Sequence, residues 1–263
     1  MQVRVQGHDV HVTTAGNGPP ALFLHGVPDT AELWHDVVAG AAARFSCFAP
    51  DFQGLHRSRR NPSFDYSFAG YANWVEDLVT ALGLSQPIHL VVHDWGGLIG
   101  LAWACRNPQR LASVLVLNSV FDPRYRGHLL ALLWRTPGVG ELVMRLLSKP
   151  WVLARGLRGS GHASNAVDTG FPAFATADSR DVILQLYRSA DMPALAEWRP
   201  AFEALARQVP VEVLWGLPDP YIPKWVAGTF CTERVSFIGG AGHWVPLRAP
   251  ERVVAALGSR LAR

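Results

Sequence analysis

The 263-residue chain predicts an α/β fold: a mostly parallel sheet flanked by helices, with a helical segment inserted late. Two observations lead there. Short apolar runs at 21–24, 45–49, 89–92, 114–117, 211–216 and 235–238 read as strands, and up to residue 120 they alternate with stretches of helical periodicity. The runs end in turn or polar residues, and in open parallel sheets functional groups collect beyond the strand ends. With 49% hydrophobic residues the chain can bury one large core.

Taken in order, Val3 to Val5 and Val10 to Thr13 alternate around Gly7-His8-Asp9 and suggest an opening hairpin. The strand 21–24 runs into His25-Gly26-Val27-Pro28-Asp29. Gly26 permits unusual backbone angles there and Pro28 stiffens the exit, so this loop can hold a backbone N–H toward a ligand. His25 is expected to be a buried histidine satisfied by neighbouring backbone. A helix over 31–43 and the strand 45–49 follow, then an Arg-rich loop over 52–65. Ser67 caps a helix reaching Leu82, with Gly83 as its stop.

From Phe121 to Pro200 the pattern changes. Helices are expected over 129–134, 139–147 and 182–188, with a stretch rich in Gly, Ser, Asn and Ala over 156–170. This divides the chain into a core of residues 1–120 and 201–263 and a helical cap of residues 121–200. A helix over 251–261 closes the core.

The 24 Lys and Arg against 21 Asp and Glu leave a net charge of only +3, and the basic residues are scattered, which argues against a nucleic-acid partner. Three widely spaced cysteines (Cys47, Cys105, Cys231) have no metal-ligand spacing and read as reduced packing residues. The chain opens as a strand rather than a signal peptide, and no apolar run approaches membrane-spanning length. A cytoplasmic protein with neither metal nor cofactor is expected; its oligomeric state is open.

The chemistry centres on His93-Asp94-Trp95-Gly96-Gly97. An apolar strand stops there and a helix follows to Arg106, and such a strand–turn–helix elbow pushes its central side chain out of a strained bend. That side chain is Asp94. A carboxylate of ordinary pKa near ~3.9 is already an anion at neutral pH and needs no base to attack. Attack on an electrophilic sp3 carbon gives an alkyl ester of the protein, which must then be hydrolysed. Asp is also a favoured helix N-cap, so the partners of Asp94 decide its role. Asp219, in Trp215-Gly216-Leu217-Pro218-Asp219-Pro220, and His243, in Gly239-Gly240-Ala241-Gly242-His243-Trp244, follow two later strands. Nucleophile, acid and histidine in this chain order are the arrangement of the α/β-hydrolase fold.

At these motifs the sequence resembles α/β-hydrolases with an aspartate nucleophile, the epoxide hydrolases and haloalkane dehalogenases. His25-Gly26-Val27-Pro28 is similar to their oxyanion-hole motif, and Gly242-His243-Trp244 to the histidine motif of epoxide hydrolases. The resemblance implies that Asp94 attacks carbon, that His243 oriented by Asp219 activates water, and that the backbone N–H groups of Val27 and Trp95 hold the oxyanion. Tyr187, followed by Arg188, matches a cap tyrosine that assists epoxide opening; a second such tyrosine is not recognisable. In a dehalogenase the Trp95 indole would bind halide, with a second indole from Trp134 or Trp151, since position 27 is Val where many dehalogenases carry Asn. Trp134, Trp151 and Trp244 are expected to line the pocket for a small apolar organic substrate and water. Epoxide hydrolysis to a vicinal diol is the expected activity, haloalkane dehalogenation the alternative, and a non-hydrolytic ligand-binding protein a third reading.

Overall fold

The computed structural model describes residues 1–149, 151–152 and 174–259. Eight strands form one sheet: β1 (Gln2–Val5), β2 (His8–Ala15), β3 (Pro20–Leu24), β4 (Ser46–Pro50), β5 (Ile88–Asp94), β6 (Leu111–Ser119), β7 (Val211–Leu217) and β8 (Val235–Gly239). Their order is β1-β2-β4-β3-β5-β6-β7-β8, with β1–β2 and β2–β4 antiparallel and every other pair parallel. The opening hairpin pairs Val3 with Val10 and Val5 with His8. β3 is buried at every position, and β5 and β6 nearly so, as expected of parallel strands covered on both faces. Pairing of Leu24 with Val92 brings the loop after β3 alongside the end of β5.

The expected helix over 31–43 is two pieces. Thr30 Oγ1 accepts from the Glu32 N–H at 3.3 Å and starts a tight 3-10 turn over Ala31–Trp34, and α1 runs only over His35–Ala41. α2 (Phe68–Ala81) begins as anticipated, with Ser67 Oγ accepting from the Gly70 N–H at 3.0 Å. α3 (Trp95–Arg106) starts directly after Asp94, and Gly96 and Gly97 are part of the helix and pack against the sheet.

Between β6 and β7 lie α4 (Leu129–Arg135), α5 (Val139–Leu147), α6 (Ala177–Ser189) and α7 (Arg199–Gln208). α6 begins before the expected residue 182, because Thr176 Oγ1 caps it at the Ser179 N–H, 3.0 Å away. α7 was not anticipated: it buries only Phe202 and Leu205, too narrow a stripe to stand out in the sequence. A short α8 (Val245–Arg248) precedes the closing helix expected over 251–261, which is α9 (Pro250–Gly258). The Gly- and Ser-rich stretch 156–170 lies outside the described residues. All three cysteines are free, and no described helix is long and apolar enough to cross a membrane.

Candidate active site

Asp94 ends β5 with φ +50° and ψ −122°, a backbone conformation that a non-glycine residue holds at a cost of about 1–3 kcal/mol. Its side chain makes no capping bond to α3, so the N-cap role fails geometrically. Three contacts fix the bend. A Cβ on Gly96 would collide with the carbonyls of Leu24 and His25, and one on Gly97 with the Ser119 hydroxyl. That hydroxyl donates to the Asp94 carbonyl at 2.6 Å. Gly26 leaves room for the carboxylate itself, since a Cβ there would stand 2.6 Å from the Asp94 Cβ.

The Val27 N–H donates to Asp94 Oδ1 at 2.9 Å. Trp95 opens α3, where backbone N–H groups have no partner within the helix. His25 holds the Val27 loop from below: it accepts from the Phe52 N–H at Nε2, 3.1 Å, and donates from Nδ1 to the Gly26 carbonyl at 2.7 Å. It is fully buried and structural, as expected.

Asp94, Asp219 and His243 meet although 125 residues separate the two carboxylates in sequence (219 − 94). His243 Nδ1 donates to Asp219 Oδ2 at 2.8 Å, and its Nε2 lies 3.6 Å from Asp94 Oδ2, in ionic contact but too long for a direct hydrogen bond. Burial alone would lower the imidazole pKa. The two carboxylates overcome it and hold His243 well above its ordinary range. Burial likewise works to raise both carboxyls, and His243 outweighs it at each, helped at Asp94 by the Val27 N–H and at Asp219 by Asn118 and the Ile222 N–H. The site rests as carboxylate, imidazolium, carboxylate.

A buried layer supports the histidine. His93 Nε2 donates to the His243 carbonyl at 3.0 Å, which leaves His93 Nδ1 as an acceptor 3.7 Å from Asp29 Oδ2 with no hydrogen bond to any described residue. The Trp244 indole donates to Asp29. Burial and the nearby Asp94 raise the Asp29 carboxyl to about 7, so it is partly protonated at neutral pH and can face that acceptor.

The triad opens into a cavity of about 240 Å³ lined by Val27, Trp134, Phe174, Tyr187, Tyr221 and Trp244 among others. Tyr187 is buried, its ring 4.9 Å from that of Trp95 and 4.8 Å from that of Trp134. Burial, reinforced by the Asp94 charge, pushes its phenol far up against the opposing Trp95 hydrogen bond, so it is a neutral donor at any working pH. Trp134 is buried with an indole N–H that has no hydrogen-bond partner among the described residues. Trp151 departs from expectation. It is 68% exposed and absent from the cavity lining, because it lies beyond the end of α5.

Two residues at the site went unremarked in the sequence. Asn118, at φ +34°, clamps Asp219. His128 faces the cavity with Asp94 and Tyr187; its Nδ1 accepts from the Ala131 N–H at 3.1 Å as the cap of α4, which places its hydrogen on Nε2. Burial lowers its pKa to about 4, so it too is a neutral donor. A polar residue ending an apolar strand, and a histidine just before a helix, were the available signals.

Residues 19–250 match the family model described as the alpha/beta hydrolase fold. The chain belongs to the α/β-hydrolase family. This hydrolase is 28% identical to haloalkane dehalogenase 2 of Mycobacterium tuberculosis over 94% of its own length and 90% of that protein's. Its fold is similar to that of a reconstructed ancestral haloalkane dehalogenase, at TM-score 0.81 and 24% identity, with 100% of each chain covered. It is equally similar to the epoxide hydrolase CorEH, at TM-score 0.82 and 22% identity over 100% of this chain and 98% of that one.

Proposed function

We propose that this hydrolase opens epoxides to vicinal diols through an ester of Asp94. The reading rests on one juxtaposition: a carboxylate pinned at a strained elbow shares an apolar cavity with the neutral phenol of Tyr187. In the first step Asp94 Oδ2 attacks the epoxide carbon, the C–O bond breaks, and the alkoxide takes a proton from Tyr187 with His128 Nε2–H as second donor. In the second, the His243 imidazolium gives up its proton, through solvent, to the Tyr187 phenolate, and the neutral His243 removes a proton from water, which attacks the ester carbonyl. The tetrahedral intermediate then collapses, the diol oxygen leaves with the proton from His243, and Asp94 is a carboxylate again. The oxygen now held by Val27 N–H becomes the oxyanion, shared with Trp95 N–H; one such donor is worth about 3 kcal/mol in comparable sites.

The charge arrangement times the two steps. While Asp94 is ionised, His243 is held protonated and cannot act as a base. Esterification removes one of the two carboxylates that hold it up, so its pKa falls when a base is needed. Residues 121–200 act as a cap that supplies His128, Trp134 and Tyr187 and excludes bulk water.

Dehalogenation of a haloalkane is the second reading, favoured by the unpartnered Trp134 indole N–H in the same cavity as Asp94. A departing halide wants N–H donors and no proton.

The test is His243→Gln incubated with an epoxide panel and a haloalkane panel, followed by intact-protein mass. The variant gains the whole mass of an epoxide, or the alkyl group without halogen from a haloalkane. An unmodified variant, with a substrate that the wild type turns over, would refute the ester.

A further inference from the structure

Asp94, His128 and Tyr187 form a partition rather than a wall. On the far side lies a second, narrower chamber of about 40 Å³, which the triad histidine does not line. Trp95, Leu98, Val120, Ala131, Met192 and Ile222 give it a largely apolar lining. Arg126 and Arg135 also line it, and among the described residues Asp94 is the only acidic one that does. Neither arginine makes an ion pair or side-chain hydrogen bond with any described residue, whereas Arg57, Arg60, Arg110, Arg124, Arg188 and Arg199 all do.

We infer that this chamber selects substrates bearing a carboxylate on an unbranched arm, the reactive carbon lying at Asp94 and the carboxylate between Arg126 and Arg135. The inference rests on the proposed function for the identity of the reacting group, and on the second chamber alone for the arm. Each feature of the chamber corresponds to a part of such a molecule. A space of about 40 Å³ favours a slim methylene chain over a branched or cyclic group. Its apolar lining gains from covering methylenes, and each further buried CH2 adds to the affinity. Guanidinium groups match a carboxylate in shape as well as charge and can bind it through paired N–H donors. The anionic end must also stay away from Asp94, since two carboxylates at close range repel; an arm of several carbons provides that separation. The bulkier part of the substrate then occupies the larger cavity beside Trp134 and Trp244.

Equilibrium binding tests this without any turnover, so a failure of the ester mechanism leaves its outcome readable. Hexanoate, octanoate and decanoate are titrated against the wild-type protein by calorimetry at pH 7.5, each beside the primary alcohol of equal length. At 20 mM salt at least one carboxylate should bind tenfold or more tightly than its alcohol, and the preference should shrink at 0.5 M salt, where screening is strong. In Arg126→Gln/Arg135→Gln the preference should fall to about one, while the circular dichroism spectrum and melting temperature stay those of the wild type, both side chains being at least partly exposed. Alcohols that bind as tightly as carboxylates in the wild type would overturn the inference. So would a double variant that keeps the tenfold preference, because the anion would then be held elsewhere.

Discussion

Asn118 and His243 are bound to the same atom. The Asn118 side-chain amide donates to Asp219 Oδ2 at 2.7 Å and the His243 imidazole donates to it at 2.8 Å, while the other carboxylate oxygen accepts from the Tyr221 and Ile222 N–H groups. Asn118 is itself held, since its carbonyl oxygen accepts from the Gly216 N–H at 2.8 Å. Asp219 is thus held by four hydrogen bonds, and the histidine ring takes its orientation from a carboxylate clamped by a residue on a neighbouring strand.

Asn118→Ala should therefore destabilise the protein by about 1.5–3 kcal/mol at pH 7, the range for a hydrogen bond to a charged group. The Asp219 carboxyl is depressed to about 2 when folded. Its ionic contribution is full above the ordinary carboxylate range and is lost as pH falls toward that value. The gap between variant and wild type in urea unfolding should accordingly narrow from pH 7 to pH 3. A gap that widens on acidification would contradict this role.

Tyr187→Phe should slow ester formation from an epoxide by about 10²–10⁴-fold, the usual range for general-acid assistance, and leave ester hydrolysis nearly unchanged. His128→Phe should slow the same step by a smaller factor, because it supplies the second donor. With a haloalkane the order reverses: Tyr187→Phe is tolerated and Trp95→Phe is slow. Single-turnover rates of the three variants on one substrate of each kind separate the chemistries.

Gly26→Ala should fold yet lose activity by at least a hundredfold. The new methyl would lie 2.6 Å from the Asp94 Cβ and 2.7 Å from its Oδ1, and the elbow gives Asp94 no room to retreat. Overpacking of this kind costs about 1–3 kcal/mol, so the melting temperature should drop while the fold persists. Wild-type turnover by this variant would mean that the Asp94 side chain sits elsewhere in solution.

The parts of this molecule that were legible in its sequence are those that obey a local rule. Asp94, Asp219 and His243 each follow an apolar run and stand among glycines or prolines, so chain order alone aligns them. His25 was legible as a packing residue for the same reason. Asn118 was not, because an amide at the end of β6 declares its partner only once β7 is laid beside it. His128 was hidden by its helix cap, which uses one ring nitrogen and leaves the other to the cavity. Trp151 illustrates the reverse error: an indole in an aromatic-rich segment suggests a lining residue, yet only the course of the chain decides which way it faces. α7 escaped because two buried side chains do not make a period.

His128, Trp134 and Tyr187 all lie between β6 and β7, whereas Asp94, Asp219, His243 and Val27 all lie outside that interval. On the proposed reading, the donors to a departing epoxide oxygen therefore lie in one stretch of the gene, while the nucleophile and the Trp95 indole that would hold a halide lie outside it. A recombination event at the two borders of that contiguous segment would carry the epoxide-oxygen donors whole, without disturbing the inherited nucleophile.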